Sequence, residues 1–517
     1  MKNRRFIGIA AAAAIFCAAF SFAVQDEPDL AMVAKIRHEG IKNSQVMKLA
    51  GYLCDVIGPR PTGSPAMTRA SHWVLDKLKE WGLQNVRLEP YHFGVGWAPQ
   101  YISAHLLRPH YQPLIAISVE WGSSTRGPVT GAPVFVDIKT HADMEKYRGR
   151  LKNAVVLYMP PRPTPPHFTP DARRFDDEEL KNMDRYPIPD ESPVDADYVR
   201  GFIDDLEDFF REEEIGVLVR PSSPGTRDYG TVRAFGIRQA INPERPRPLP
   251  EIILATEHYN LIHRLVTEHR ESCEMIVEVR TEFYDDDLNG YNVVAEIPGT
   301  DKKDEIVMLG GHLDSWSPGT GAADNAAGCV VNMEAVRILK KLGVKPRRTI
   351  RIVLWSAEEK GWLGSKAYVA EHFGEVETMT LKPGHAKLSA YFNYDNGTGR
   401  IRGIRTQNNI QIRPIFEKWM RPFHDLGMTQ VVNLSTMGSD HGALDLVGLP
   451  SFQWIQDPIH YGTRIHHTNM DVVDHLIPED LIQSAVIIAS FVYHTAMREE
   501  MLPRKPLPAP RKYPVRR

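Results

Sequence analysis

The stretch that most constrains this chain is 307–365, where VMLGGHLDSWSPGTGAADNAAGC leads into an amphipathic helix and then into TIRIVLWSAEEKGWLGS. The short apolar run at 305–309 ends at Gly310-Gly311 and reads as a buried strand. Period-two alternation beyond it puts His312 and Asp314 on one side. Asp324 falls in a Gly/Ala-rich turn, and 332–342 has helical apolar spacing that stops at Gly343. A second buried strand, 349–355, runs into Glu358-Glu359. Polar groups gathered at the carboxyl ends of strands in a strand–helix–strand unit predict an α/β fold with its site at that edge.

Imidazole with several carboxylates and no cysteine suits zinc, manganese or cobalt in an open site. Asp314 is spaced to accept the second ring N–H of His312 and fix its tautomer. One carboxylate can bridge two cations; of two adjacent glutamates, one can bind metal while the other moves a proton. No single element carries this reading. His141-Ala142-Asp143 repeats the triplet, and Glu178-Glu179, Glu212-Glu213 and Glu499-Glu500 repeat the acidic pair in places where a solvated face is the ordinary role. The combination inside one α/β unit is what points to metal chemistry.

The order HxD, then Asp324-Asn325, then a strand ending in Trp-Ser-Ala-Glu-Glu resembles the zinc metallopeptidases of family 28, which include the bacterial leucyl-type aminopeptidases and the glutamate carboxypeptidases. Two more elements fit that order: Asp395, closing the apolar strand 388–394, and HHTNMD at 466–471, similar to the family's H-T-x-x-D. The resemblance implies His312, Asp324, Glu359, Asp395 and His467 as ligands of two zinc ions, with Asp324 bridging and Glu358 as general base. His466 competes with His467 for the last ligand position, and spacing to Thr468 and Asp471 favours His467. The oxyanion donor stays open between His466 and Tyr461. Ser439-Asp440-His441 is similar to a family S-D-H that supports the site without ligating.

The same resemblance implies a mixed central sheet flanked by helices and interrupted by an inserted β-rich, protease-associated domain. It implies an exported dinuclear zinc exopeptidase acting on short peptides or dipeptides with a free N-terminus, through a metal-bridging water activated by the general base. Carboxypeptidase action or N-acyl amino acid deacylation by the same site is the alternative, and a non-catalytic binding protein a more distant one. Homodimers are common among such relatives, so a dimer is an expectation here.

At 517 residues the chain exceeds what one core accommodates. A hydrophobic content of 42% argues against disorder, and a net charge of −3 without a basic stripe argues against nucleic-acid binding. Residues 1–23 have a basic start, an apolar run and Ser21-Phe22-Ala23, the pattern of a signal peptide, which predicts export to periplasm or medium. Cys17 raises a lipoprotein anchor, against which the bulky Ile15-Phe16 speak. No later stretch reads as a membrane span. Cys54, Cys273 and Cys329 then allow at most one disulfide, and Cys329 reads as a packed thiol.

The expected layout is a first catalytic part at 24–112, a protease-associated-like insertion at 113–285, a second catalytic part at 286–500 and a disordered basic tail at 501–517. The first part holds two helices within 41–81, split by GPRPTG at 58–63, then a strand region from 85; His92, Trp97 and Tyr101 read as core packing. Within the insertion, the Pro- and acid-rich 160–198 reads as a surface excursion or lid edge.

Overall fold

A computed structural model of the chain describes residues 26–185, 196–223 and 229–511. The leader and Cys17 lie outside the described residues, as do 186–195 of the excursion and 512–517 of the tail.

The apolar runs form an eight-stranded mixed sheet. Its four central strands, in spatial order Arg348–Trp355, Lys302–His312, Leu388–Asn393 and Ser451–Gln456, are all parallel. Asn289–Ile297 and then Gln84–His92 extend one edge antiparallel, and Ile401–Arg405 with Gln430–Val432 extend the other. The strands read as continuous hydrophobic runs because both faces are covered. Val307 and Leu309 pack with the helices Leu30–Lys42, Ala327–Lys341 and Pro478–Met497 on one face, while Met308, Val353 and Trp355 pack with Leu363–His372 and His441–Leu446 on the other. The α/β class with helices flanking a mixed sheet is therefore the observed one.

Among the described residues, three helices precede the first strand: Leu30–Lys42, Val46–Gly51 continuing to Ile57, and Pro65–Glu80. The last is started by Ser64, whose hydroxyl accepts from Met67 N at 3.1 Å, with Pro65 in the first turn. The intervening 58–64 loop is buried at Arg60, Thr62 and Ser64.

After His92 the chain leaves the central sheet and it returns at Asn289. Gly96–Arg108 pairs with Glu274–Tyr284 in a separate four-stranded sheet, and a five-stranded sheet runs from Ala116–Ser118 through Glu251–Leu254, Val217–Pro221 and Val155–Leu157 to Pro133–Phe135. The boundary expected at 113 thus moves back to about 96, because the long strand Gly96–Arg108 finds its partner at the far end of the insertion. Of the three aromatics, Trp97 is buried, whereas Tyr101 is 40% exposed under the Arg280 guanidinium and His92 faces solvent.

The excursion is tied down to the second half of the chain. Arg174 Nη1 lies 2.8 Å from Asp457 Oδ2 and 2.6 Å from Asp480 Oδ2, and Phe175 N donates to Asp457 Oδ1 at 3.1 Å. Arg400 and Arg402 approach the same two carboxylates. Losing Arg174 therefore removes one of three cations rather than the only partner of a buried charge. Arg174→Ala is expected to cost about 1–2 kcal/mol by urea unfolding and to speed limited proteolysis within 160–185. Unchanged cleavage of that segment would show that the strap is held by other contacts.

One expectation is corrected. The tail is docked as far as residue 511: Leu502 is buried, Arg504 donates to the carbonyls of His385 and Leu388, and Lys505 pairs with Asp445 at 2.6 Å. One apolar side chain and specific partners outweigh its polar composition. The helix Pro478–Met497 is long and apolar enough for a span, yet it is almost entirely buried inside the protein, so it is the core helix against the sheet. The three described cysteines are all free and buried, and Cys329 Sγ donates to His312 O at 3.0 Å.

Candidate metal centre

Each central parallel strand delivers part of one cluster at its carboxyl end. His312 is the last residue of Lys302–His312, and Gly310-Gly311 before it allow the neighbours to close in. A Cβ on Gly311 would stand 2.8 Å from Tyr394 O, and one on Gly310 would collide with Val353 O. Glu358 and Glu359 follow Arg348–Trp355, Asp395 follows Leu388–Asn393, and His466-His467 come from the loop after Ser451–Gln456. Asp324 enters from the turn before Ala327–Lys341, through a cis peptide to Asn325.

His312 Nε2 is 3.3 Å from Asp324 Oδ1 and 3.3 Å from Asp395 Oδ1. His467 Nε2 is 3.2 Å from Asp324 Oδ2 and 3.1 Å from Glu359 Oε2. Asp324 thus faces one imidazole–carboxylate group with each oxygen. His466 Nε2 stands at the margin, 3.7 Å from Asp324 Oδ2, and the Tyr461 ring packs against it at 4.8 Å between centroids. His312, Asp324, Glu358, Glu359 and Asp395 are all buried.

Electrostatics follow from this crowding. Burial works to keep His312 neutral, but the Asp395, Asp314 and Asp324 carboxylates outweigh it and hold the ring well above its ordinary range. His467 is raised to about 10, against burial, by Glu359 and Asp324. His466 is driven down to about 3, by burial first and the His467 charge next. The carboxylates that converge on the two imidazoles favour positive charge there, which a divalent cation would supply. Glu359 Oε1 is buried without a hydrogen-bond partner, as a ligand atom would be. The residues fit a metal of the kind that accepts N and O donors.

Around the cluster, Asp471 accepts from Ala323 N at 2.6 Å and Asp324 N at 3.1 Å, so it shapes the turn that carries Asp324. His467 has φ +64, a left-handed conformation held by segment 232–234 of the insertion, where Ala234 N donates to His467 O at 2.7 Å. Asp314 differs in detail from its expected role. The His312 Nδ1 partner is the backbone carbonyl of Asp314 at 2.9 Å, with the carboxylate at 3.6 Å; Asp314 Oδ1 accepts instead from Glu358 N at 3.2 Å. Asp440 and His441 are buried beside the cluster; burial raises Asp440 to about 7, and His441 Nε2 bonds Thr436 O at 2.8 Å. The repeat triplet at 141–143 is structural: Asp143 closes a capping box with Thr140, and His141 pairs with Asp205 on the surface.

Sequence reading passed over four side chains that the structure joins to the site: Arg60, Glu120, Trp316 and Lys360. Only the proximity of Trp316 and Lys360 to His312 and Glu359 along the chain could have flagged any of them.

Residues 292–492 match Peptidase family M28. The chain is 28% identical to carboxypeptidase Q of Bos taurus over 466 residues, covering 90% of this chain and 87% of that protein. Among solved structures it is similar to a peptidase M28 precursor from Shewanella amazonensis (TM-score 0.67, 25% identity, 92% of this chain and 98% of that one). A zinc aminopeptidase from Bacillus subtilis shares the fold (TM-score 0.55, 17% identity, 88% and 95% covered).

Proposed function

Because this chain carries a Peptidase family M28 domain and is a metallo-exopeptidase, we propose that it is an exported two-zinc enzyme that removes residues from short peptides or dipeptides with a free N-terminus. One observation carries the reading: Asp324 presents Oδ1 toward His312 and Oδ2 toward His467, which suits a carboxylate shared by two cations. His312 and Asp395 would hold one zinc, and Glu359 and His467 the other. Bound zinc supplies Lewis-acid polarisation of a scissile carbonyl and hydroxide at neutral pH.

The protein's own groups do the rest. Glu358, buried and anchored at its backbone N–H by Asp314, accepts the proton of the attacking water and returns it to the leaving amine. His466 is kept neutral at the cluster's margin and serves as N–H donor to the developing oxyanion. Export rests on the leader pattern of residues 1–23, and the insertion is read as a protease-associated domain.

The test is a panel of dipeptides, each with a free and an acetylated N-terminus, given to chelator-stripped enzyme with and without restored zinc. Cleavage is expected only with zinc and only of the free-amine set. Cleavage of the acetylated set would move the assignment to a carboxypeptidase or deacylase. Metal-independent cleavage would remove the zinc mechanism.

A further inference from the structure

Trp316 lies two residues past Asp314, and an indole is a hydrogen-bond donor with no acceptor capacity. Its Nε1–H donates to Glu359 Oε2 at 2.6 Å, the oxygen that also lies 3.1 Å from His467 Nε2. The Trp316 and His467 rings are 5.4 Å apart. The indole thus touches the half of the cluster that Glu359 and His467 share.

What holds the indole there comes from the insertion. Lys360 is 4% exposed, a burial that an ammonium tolerates only when paired. Its Nζ lies 2.9 Å from Glu120 Oε2 and 3.3 Å from the centre of the Trp316 ring, with Trp121 on a further side at 4.8 Å. Glu120 is fully buried, and its second oxygen accepts from Ser317 N at 2.6 Å, which pins the backbone next to Trp316. Glu120 is itself fixed by backbone bonds to Phe235 and Ile237. Gly236, between those two, lies against the indole: a Cβ there would come within 3.0 Å of Trp316 Cζ3. Every contact of this chain of groups is direct.

We propose that Trp316 is a positioning residue of the metal centre, setting the Glu359 carboxylate through its indole N–H, and that Glu120 of the insertion holds the indole in place through Lys360 and Ser317. The insertion thereby governs the affinity of the Glu359/His467 half of the site. The inference rests on the two-zinc reading above.

The test uses the full chain, with zinc affinity measured by competition against a chromophoric chelator and the melting temperature of chelator-stripped protein measured alongside. Trp316→Phe keeps the ring over Lys360 and deletes only the donor. Glu120→Gln keeps the shape and removes the charge that pairs with Lys360. Trp316→Phe is expected to weaken one of the two zincs by about 10–100-fold and spare the other, with the metal-free melting temperature unchanged. Glu120→Gln is expected to weaken the same zinc. Wild-type affinity at both zincs in Trp316→Phe overturns the proposal. Equal weakening of both zincs with a lowered metal-free melting temperature also overturns it, since that marks a general structural role. If Trp316→Phe does not fold, unaltered zinc binding by Glu120→Gln decides against the insertion's part. A wild-type protein that binds no zinc overturns the two-zinc reading itself, a result distinguishable from all of these.

Discussion

Glu358→Gln is expected to retain zinc at the wild-type level while turnover of a cleavable dipeptide falls by about 10,000-fold, equivalent to about 5 kcal/mol of barrier. The substitution keeps the volume and a polar tip but removes the site's capacity to take a proton. Glu358 is buried, and its backbone is fixed by the Asp314 contact at its N–H and by the turn in which Gly361 N and Trp362 N donate to its carbonyl. Zinc content should survive because His312, Asp324, Glu359, Asp395 and His467 are untouched. The measurement is kcat on one dipeptide together with metal analysis of the same preparation. A rate within tenfold of wild type would remove Glu358 from the proton path; loss of zinc together with rate would make it a ligand instead.

Arg60→Met is expected to cost about 4 kcal/mol or more of stability, near the upper end for a point substitution. Arg60 is fully buried and, among the described residues, its guanidinium hydrogen-bonds main-chain carbonyls rather than a carboxylate. Nε donates to Leu313 O at 2.9 Å, Nη1 to Gly58 O at 2.8 Å and Thr320 O at 2.7 Å, and Nη2 to Gly321 O at 2.9 Å. Its own N–H donates to Ser315 Oγ at 3.0 Å. Methionine fills the space but removes the donor from the Leu313, Gly58 and Thr320 carbonyls, while Gly321 O keeps Ala326 N; a carbonyl left without a donor in such a setting is worth about 1–3 kcal/mol. Lysine restores the charge but not the planar fork, so Arg60→Lys should recover little. Urea unfolding of chelator-stripped protein measures the cost without metal linkage. A loss below about 1 kcal/mol would mean that water or a loop shift satisfies the carbonyls. The segment bridged runs from Leu313 to Gly321, just ahead of Asp324, so zinc affinity should fall as well.

The strand ends were legible because their signal is local. Apolar runs at 305–309, 349–355 and 388–394 announce buried strands, and the polar residues that follow them lie within a few positions. Once four such strands are parallel and adjacent, His312, Glu358-Glu359 and Asp395 meet without further instruction, since parallel strands present their carboxyl ends on one edge. Elements judged by composition fared worse. The tail looked disordered from its prolines and charges, yet Leu502 and Arg504 dock it.

By itself the sequence determined the α/β class, the strand–site–strand grammar and the residues with metal-binding chemistry, because periodicity and adjacency act over a few residues. Only the tertiary structure decided which distant groups hold that site in shape. Arg60 reads as an ordinary turn arginine until its distant partners, 253 to 261 residues away, close around it. Glu120 and Lys360 are 240 residues apart, in different sheets' surroundings, and look like two surface charges until burial makes their pairing obligatory. Desolvation gives such contacts their strength. It is a property of the packed interior, and no short window of sequence carries it.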